Sequence, residues 1–249
     1  MTATPDVVDR EAWLRERDSL LSREKAHTRE GDAIAAARRR LPMTEVPNVE
    51  LVGADGTVQL LDLFDGRDQL VVYKHMFHTG KPFEEQCEGC TLTQWHVQDA
   101  TYLHEQGVSY AVICEGPWDE VGPFRAFMGY TLPWYSAHGI DDPVLGRDFG
   151  SIAAFLRQGD RVFLSYETTG RGVEPIMASL QLLDMTVYGR QEAWEDSPAG
   201  WPQRPTYSSW RRDGRPTGQW SRPGVTPGEM ARPTGAPQQR SSRRALLCV

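Results

Sequence analysis

The sequence predicts an α/β protein: a mixed β-sheet flanked by helices and preceded by a helical arm. Three observations lead there. Short buried-strand runs alternate with helix-length segments between residues 46 and 188. Strands joined through helices must run parallel. The last two strands join through the tight turn Gln158-Gly159-Asp160 and must run antiparallel. A mixed sheet with helices on both faces buries all of these elements at once.

The arm comes first. Trp13, Leu14, Leu20 and Leu21 fall at i, i+1, i+7 and i+8, one apolar stripe among charged residues. Gly31-Asp32 predicts a break, with Asp32 capping a second short helix over residues 33–40 and Leu41-Pro42 ending it. Residues 1–42 are thus expected to pack on the core or on a second copy of the chain.

Residues 43–190 read as the main domain. A strand is expected at 49–52 and a second at 69–77, where Leu70-Val71-Val72-Tyr73 is a buried run. A polar loop leads to Cys87-Glu88-Gly89-Cys90. A helix over 91–106 stops at Gly107, and a buried strand follows at 108–114. Pro117 or Pro123 starts a helix that ends near Met128, before Gly129. A hairpin (153–157 with 161–168) and a closing helix (174–185) complete the domain; Ile176, Met177, Leu180 and Leu183 share one face of that helix.

Residues 191–249 differ in kind. They hold 8 of the 17 prolines, 9 arginines and 5 acidic residues. Apolar residues are sparse there apart from the tryptophans, so disorder is expected beyond about residue 210. Residues 1–190 carry 18 basic against 29 acidic residues, a balance that argues against a nucleic-acid partner. The longest apolar runs are five residues, such as 110–114, so no membrane helix is expected. The charged first thirty residues do not read as a secretory leader, and a cytoplasmic location is expected.

Among the four cysteines, Cys87 and Cys90 form a Cys-x-x-Cys pair between a buried strand and a helix, the context that gives the motif meaning. At a helix start, Cys87 meets unpaired backbone N–H groups that favour its thiolate. Cys90, one turn on, is placed to resolve a mixed disulfide. Cys87 is therefore the expected nucleophile and Cys90 the resolving thiol, both open to solvent. Glu84, Glu85 and Glu88 oppose thiolate formation, so the acidification of Cys87 should be mild and the pair reducing. Two other readings stay open: a reduced, inert pair, or half of a zinc site completed by His75, His78 or His96. Cys114 reads as a packed small hydrophobe. Trp134, Tyr135, Phe149 and Phe163 either line a pocket or pack the core.

Long stretches of the chain closely resemble a bacterial family of uncharacterised thioredoxin-like proteins, domain of unknown function 899. They are residues 13–42 (WLRERDSLLSREKAHTREGDAIAAARRRLP), 56–77 (GTVQLLDLFDGRDQLVVYKHMF), the Cys87–Cys90 pair, 128–136 (MGYTLPWYS), 168–174 (TTGRGVE) and 182–192 (LLDMTVYGRQE). The resemblance spans residues 10 to about 210 and implies a thioredoxin-like fold, with redox activity expected from that fold. Thioredoxins are similar in strand–CxxC–helix order but carry Trp-Cys-Gly-Pro-Cys; here Gln86 replaces the tryptophan and Glu88-Gly89 replaces Gly-Pro. The position of their substrate-holding proline falls on Ser151, and the residues before Cys87 do not fit the peroxiredoxin Pro-x-x-x-Thr-x-x-Cys motif. Arg161 faintly resembles the peroxiredoxin arginine, although a strand-edge surface role fits it as well.

The resulting expectation is thiol–disulfide exchange by Cys87 and Cys90 on a thiol or disulfide partner, protein or small molecule. Ser151, Trp134 and Arg171 are candidate substrate contacts; for Arg171 a turn-supporting salt bridge is the alternative. No metal or cofactor is expected. The competing expectation is a non-catalytic thioredoxin-fold binding or dimerisation module, including a homodimer joined through the arm.

Overall fold

The structure is a computed structural model that describes residues 3–212 and 215–216, with side chains as far as residue 210. Helix α1 runs unbroken over Arg10–Arg38. The Asp9 carboxylate caps it, accepting the Ala12 N–H at 2.8 Å. The expected break at Gly31-Asp32 does not occur. Gly31 has no neighbour within 4 Å of its missing side chain, so nothing competes with the helical ladder there. A glycine inside a helix costs only about 1 kcal/mol. No residue of α1 is buried, and Trp13, Leu14 and Leu20 are each more than 40% exposed. Packing on the core along the arm is therefore corrected: the arm is tied to the body near its ends. Tyr188 donates to the Ala3 carbonyl at 3.1 Å, and Arg38 lies 4.8 Å over the Tyr166 ring.

The described residues form one eight-stranded mixed sheet and one two-stranded ladder. In chain order the strands are β1 (Thr44–Val46), β2 (Glu50–Gly53), β3 (Gly56–Gln59), β4 (Gln69–His75), β5 (Val108–Cys114), β6 (Trp134–Ser136), β7 (Ser151–Gln158) and β8 (Arg161–Thr169). Their order across the sheet is β1-β8-β7-β4-β5-β6-β2-β3. β4, β5 and β6 run parallel, β7 pairs antiparallel with β4, and β7–β8 is the expected hairpin. With helix α2 (Glu88–His96) following β4 and helix α4 (Trp118–Met128) following β5, this is the thioredoxin-like order.

Two expected helices divide. The one over 91–106 becomes α2 and α3 (Thr101–Glu105). The Gln98 amide donates to the Gln94 and Trp95 carbonyls and closes α2, while the Asp99 carboxylate takes the Thr101 N–H at 2.7 Å and starts a new turn. The closing helix becomes a 3-10 turn (Gly170–Ile176) followed by α5 (Ala178–Asp184). Pro175 lacks an N–H and disfavours an α conformation at Glu174. Met177 and Leu180 are buried, but Leu183 is exposed, so the expected four-residue face is two residues narrower at its core. In the tail, Arg211–Arg212 and Arg215–Pro216 form the two-stranded ladder, β9 and β10. The disorder expected further on lies outside the described residues.

Period-2 alternation along β4 and β5 splits the core between the two sheet faces. Leu70, Val72, Ala111 and Ile113 join Leu60, Phe64, Leu145 and Phe155 on one face. Tyr73, Tyr110, Val112 and Cys114 join Phe124, Met128, Trp134 and both cysteines of the pair on the other, under α2 and α4. Lys74 points to the first face, fully buried, and its Nζ donates to the Val144 and Arg147 carbonyls. That charge-assisted contact fixes the loop leading to β7.

Phe124 is fully buried and ringed by Phe77, Phe83, His75, Tyr130 and Trp134. Phe124→Ala is expected to cost about 3–5 kcal/mol. Urea unfolding followed by circular dichroism checks it.

Candidate active site

The chain enters α2 at Cys87, which is extended at φ −58°, ψ 112° and stands at the N-cap. Its carbonyl accepts the Thr91 N–H at 2.9 Å and the Thr91 hydroxyl at 2.8 Å. Its sulfur meets the backbone N–H groups of Gly89 and Cys90, and the Cys90 thiol donates to it. Cys90 lies one turn in, with both sulfurs free. The Cys90 sulfur also accepts the Met76 N–H at 3.4 Å and a hydrogen bond from the Tyr73 hydroxyl.

These contacts separate the two thiols electrically. The hydrogen bond from Cys90 leads in lowering Cys87 from 9.0 to about 7, helped by backbone N–H groups and opposed by burial and Glu88. Burial pushes Cys90 well above its usual value, and the neighbouring Cys87 adds to the rise. The pair thus has one sulfur poised near neutral pH and one that keeps its proton.

Against the expectation of an open pair, both sulfurs are covered: Cys87 is 6% exposed and Cys90 1%. The tail reaches the same turn of the helix. The Trp210 ring lies against Gly89, its Cζ3 atom 3.0 Å from where a β-carbon would stand. Beneath the pair is an aromatic bed. Tyr130 donates to the Thr91 carbonyl at 3.0 Å and stacks on Trp134 at 5.1 Å, with 9° between the planes. The His75 ring is 4.9 Å from Trp134, and its Nδ1 lies 3.9 Å from the Cys114 sulfur. Burial drives His75 down to about 3 and Cys114 up to about 12, so at neutral pH both are uncharged.

The candidate substrate contacts fall in different places. Trp134 is 2% exposed, within the bed under the pair. Ser151 starts β7 opposite Lys74 at the same end of the sheet, buried, its hydroxyl given to the Asp148 carbonyl at 2.7 Å. Arg171 binds Glu174 through two nitrogens, at 2.8 and 3.2 Å, and stacks 4.2 Å over Trp194. It lines a cavity of about 320 Å³ with Glu174, Arg190, Glu192, Trp194 and Tyr207. Arg161 pairs with Glu45 on the exposed edge of the sheet. His78 and His96 use their Nδ1 atoms on the Glu85 and Leu92 carbonyls. Among the described residues no group of three His, Cys, Asp or Glu side chains is arranged to hold a metal ion.

Two residues here had no functional reading in the sequence. Gln86, at the position of the thioredoxin tryptophan, is fully buried. Its Oε1 accepts the His78 N–H at 2.8 Å, and its Nε2 donates to the His78 and Lys81 carbonyls. It closes the loop that delivers Cys87, a role no local pattern announces. Trp210 had one signal, a large apolar ring in a segment otherwise poor in them.

The family model described as "Bacterial protein of unknown function (DUF899)" matches residues 2–215. The chain belongs to this family. No curated protein matches it. Among solved structures, the chain is similar to peroxidoxin BcpB from Mycobacterium tuberculosis (18% identity, TM-score 0.38, covering 56% of this chain and 96% of that one). It is also similar to a DsbF homologue from Corynebacterium diphtheriae (17%, 0.35, 56% and 86%) and to a mutant of PrxQ from Xylella fastidiosa (13%, 0.35, 56% and 94%). Among the described residues, no helix is long and apolar enough to cross a membrane.

Two titrations are expected. Thiolate absorbance should rise with a midpoint near pH 7 in the native protein, and Cys87→Ser should remove that step. His75 is neutral in the fold down to about pH 3, while an unfolded imidazole takes its proton near 6.5. Between those values the unfolded chain binds the extra proton, so stability falls as pH drops through that window. Urea midpoints measured from pH 7 to pH 4 should fall by an amount worth a few kcal/mol, and less steeply in His75→Leu.

Proposed function

We propose that this protein catalyses thiol–disulfide exchange through Cys87 and Cys90. The carrying observation is the hydrogen bond from Cys90 to Cys87 at the start of α2, with its unequal pair of thiol acidities. A thiol with a pKa near ambient pH combines a substantial thiolate fraction with good nucleophilicity.

The Cys87 thiolate attacks one sulfur of a substrate disulfide. The other substrate sulfur leaves as thiolate and takes a proton from solvent, and Cys87 is left in a mixed disulfide. Cys90 then loses its proton to water and attacks the Cys87 sulfur, expelling the second substrate thiolate. Two electrons have passed to the substrate, and the pair is a disulfide. A dithiol reductant, protein or small molecule, returns it to the starting state.

Tyr73 and the Met76 N–H hold the Cys90 sulfur and favour its thiolate when it must attack. Burial and Glu88 limit the acidity of Cys87, which supports a reducing pair over a strongly oxidising one. The low exposure of Cys87 is the observation that favours the other reading, a binding module of this fold without chemistry.

Reduction of a protein disulfide in the presence of dithiothreitol separates the two. Cys87→Ser should fall to the uncatalysed rate, and Cys90→Ser should accumulate a mixed disulfide that gel electrophoresis without reductant detects. Equal rates for wild type and Cys87→Ser would select the binding module.

A further inference from the structure

We infer that the segment running from Glu192 to Trp210 is a lid on the thiol pair, and that Trp210 occupies the seat a substrate side chain must take. This rests on Cys87 being the reactive thiol.

The seat exists because position 89 carries no side chain. In the middle of Cys-Glu-Gly-Cys, the bare Cα of Gly89 leaves a flat surface on the first turn of α2, beside the Cys87 sulfur. The edge of the Trp210 ring fills it, close enough that a methyl group there would make the ring give by a few tenths of an ångström.

The segment meets the body at Trp194, under Arg171, and at Trp201, whose ring lies 5.3 Å from that of Tyr188, and Glu192 closes it on itself. Glu192 is 4% exposed; one carboxylate oxygen accepts the Tyr207 N–H at 2.8 Å and the other accepts Trp194 Nε1–H at 2.5 Å. Backbone bonds join Arg204 to Gln191 at 2.7 Å and Ala193 to Arg204 at 2.8 Å. Trp194 lies under the Arg171 guanidinium, and Arg190 binds Glu174 and Asp184 at 3.0 and 2.7 Å. Residues 203–209 are exposed, and Trp210 is only partly buried.

The turn between anchor and ring is strained. Tyr207 has φ +63°, a left-handed conformation that a bulky side chain rarely adopts. It is held by the Glu192 bond on one side and by the Trp210 ring, 4.3 Å from its own, on the other. Strain held in place by surrounding contacts clusters at ligand clamps and switch regions. Lifting Trp210 releases the turn and opens the side of Cys87 next to Gly89, while the Glu192 bonds that close the segment on itself stay in place. A partner with a large aromatic residue near its disulfide can take the vacated seat; a small polar disulfide has nothing to replace Trp210 with.

The test is the rate at which iodoacetamide and a bulky maleimide alkylate Cys87 at pH 7 in the full chain, read by mass spectrometry of the peptide that carries it. Trp210→Ala should raise both rates, by about tenfold or more for the maleimide, with an unchanged circular dichroism spectrum. Equal rates in the two proteins, with either reagent, overturn the lid. Alkylation reads only the exposure of Cys87. Faster alkylation in Trp210→Ala, with a disulfide-reduction rate that Cys87→Ser leaves intact, would keep the lid and sink the exchange reaction. Unchanged alkylation beside a rate lost in Cys87→Ser would do the reverse.

Discussion

The thiol end of this protein depends on the register of strand β4. The strand is hydrogen-bonded on both sides, to β5 and to β7, and each side of it faces a packed core. A slip of one residue would carry Tyr73 and His75 to the wrong face and drive Lys74 under α2. With the register as it is, the end of β4 presents the Tyr73 hydroxyl and the Met76 N–H to Cys90, and His75 to the aromatic bed beneath. Cys90 is thereby fixed before it touches Cys87.

The contrast between the two thiols follows from what a buried site can share. Burial alone would raise both. One thiol proton lies between the sulfurs, and it stays on the deeper one, where desolvation is greatest. The outer sulfur receives that hydrogen bond together with two backbone N–H groups. A drop from 9.0 to about 7 corresponds to about 3 kcal/mol in favour of the thiolate. The donors outweigh both burial and the adjacent Glu88. Glu88 limits the effect without reversing it, because a half-exposed carboxylate is screened by water and the N–H groups are not.

The central features were legible because they are written in short-range patterns. Leu70-Val71-Val72-Tyr73 can only be a buried strand in this setting, Gly107 and Gly129 take the positive φ that ends a helix, and Cys87–Cys90 stands where a strand meets a helix. The strands β1, β3 and β6 escaped, since segments of three or four residues carry no periodicity and exist through their partners. The division of α2 from α3 escaped too, because it turns on which carbonyls the Gln98 amide reaches. At the site, the motif gave the place of both cysteines, where the loop after β4 enters α2. It could not give the Trp210 ring on Gly89, 121 positions away in sequence, or the bonds by which the Gln86 amide closes the loop before Cys87.

The same limit applies to the boundary drawn at residue 190 from composition. Proline and arginine content changes there, and the text of the chain looks like a tail. The physical connections run straight across it: Arg171 and Arg190 lie over the Trp194 ring, and the Tyr188 ring lies 5.3 Å from that of Trp201. Arg171 is therefore bound into an ion-pair network through Glu174, which also holds Arg190. A guanidinium shared between a carboxylate and an indole face has little left for a free anion.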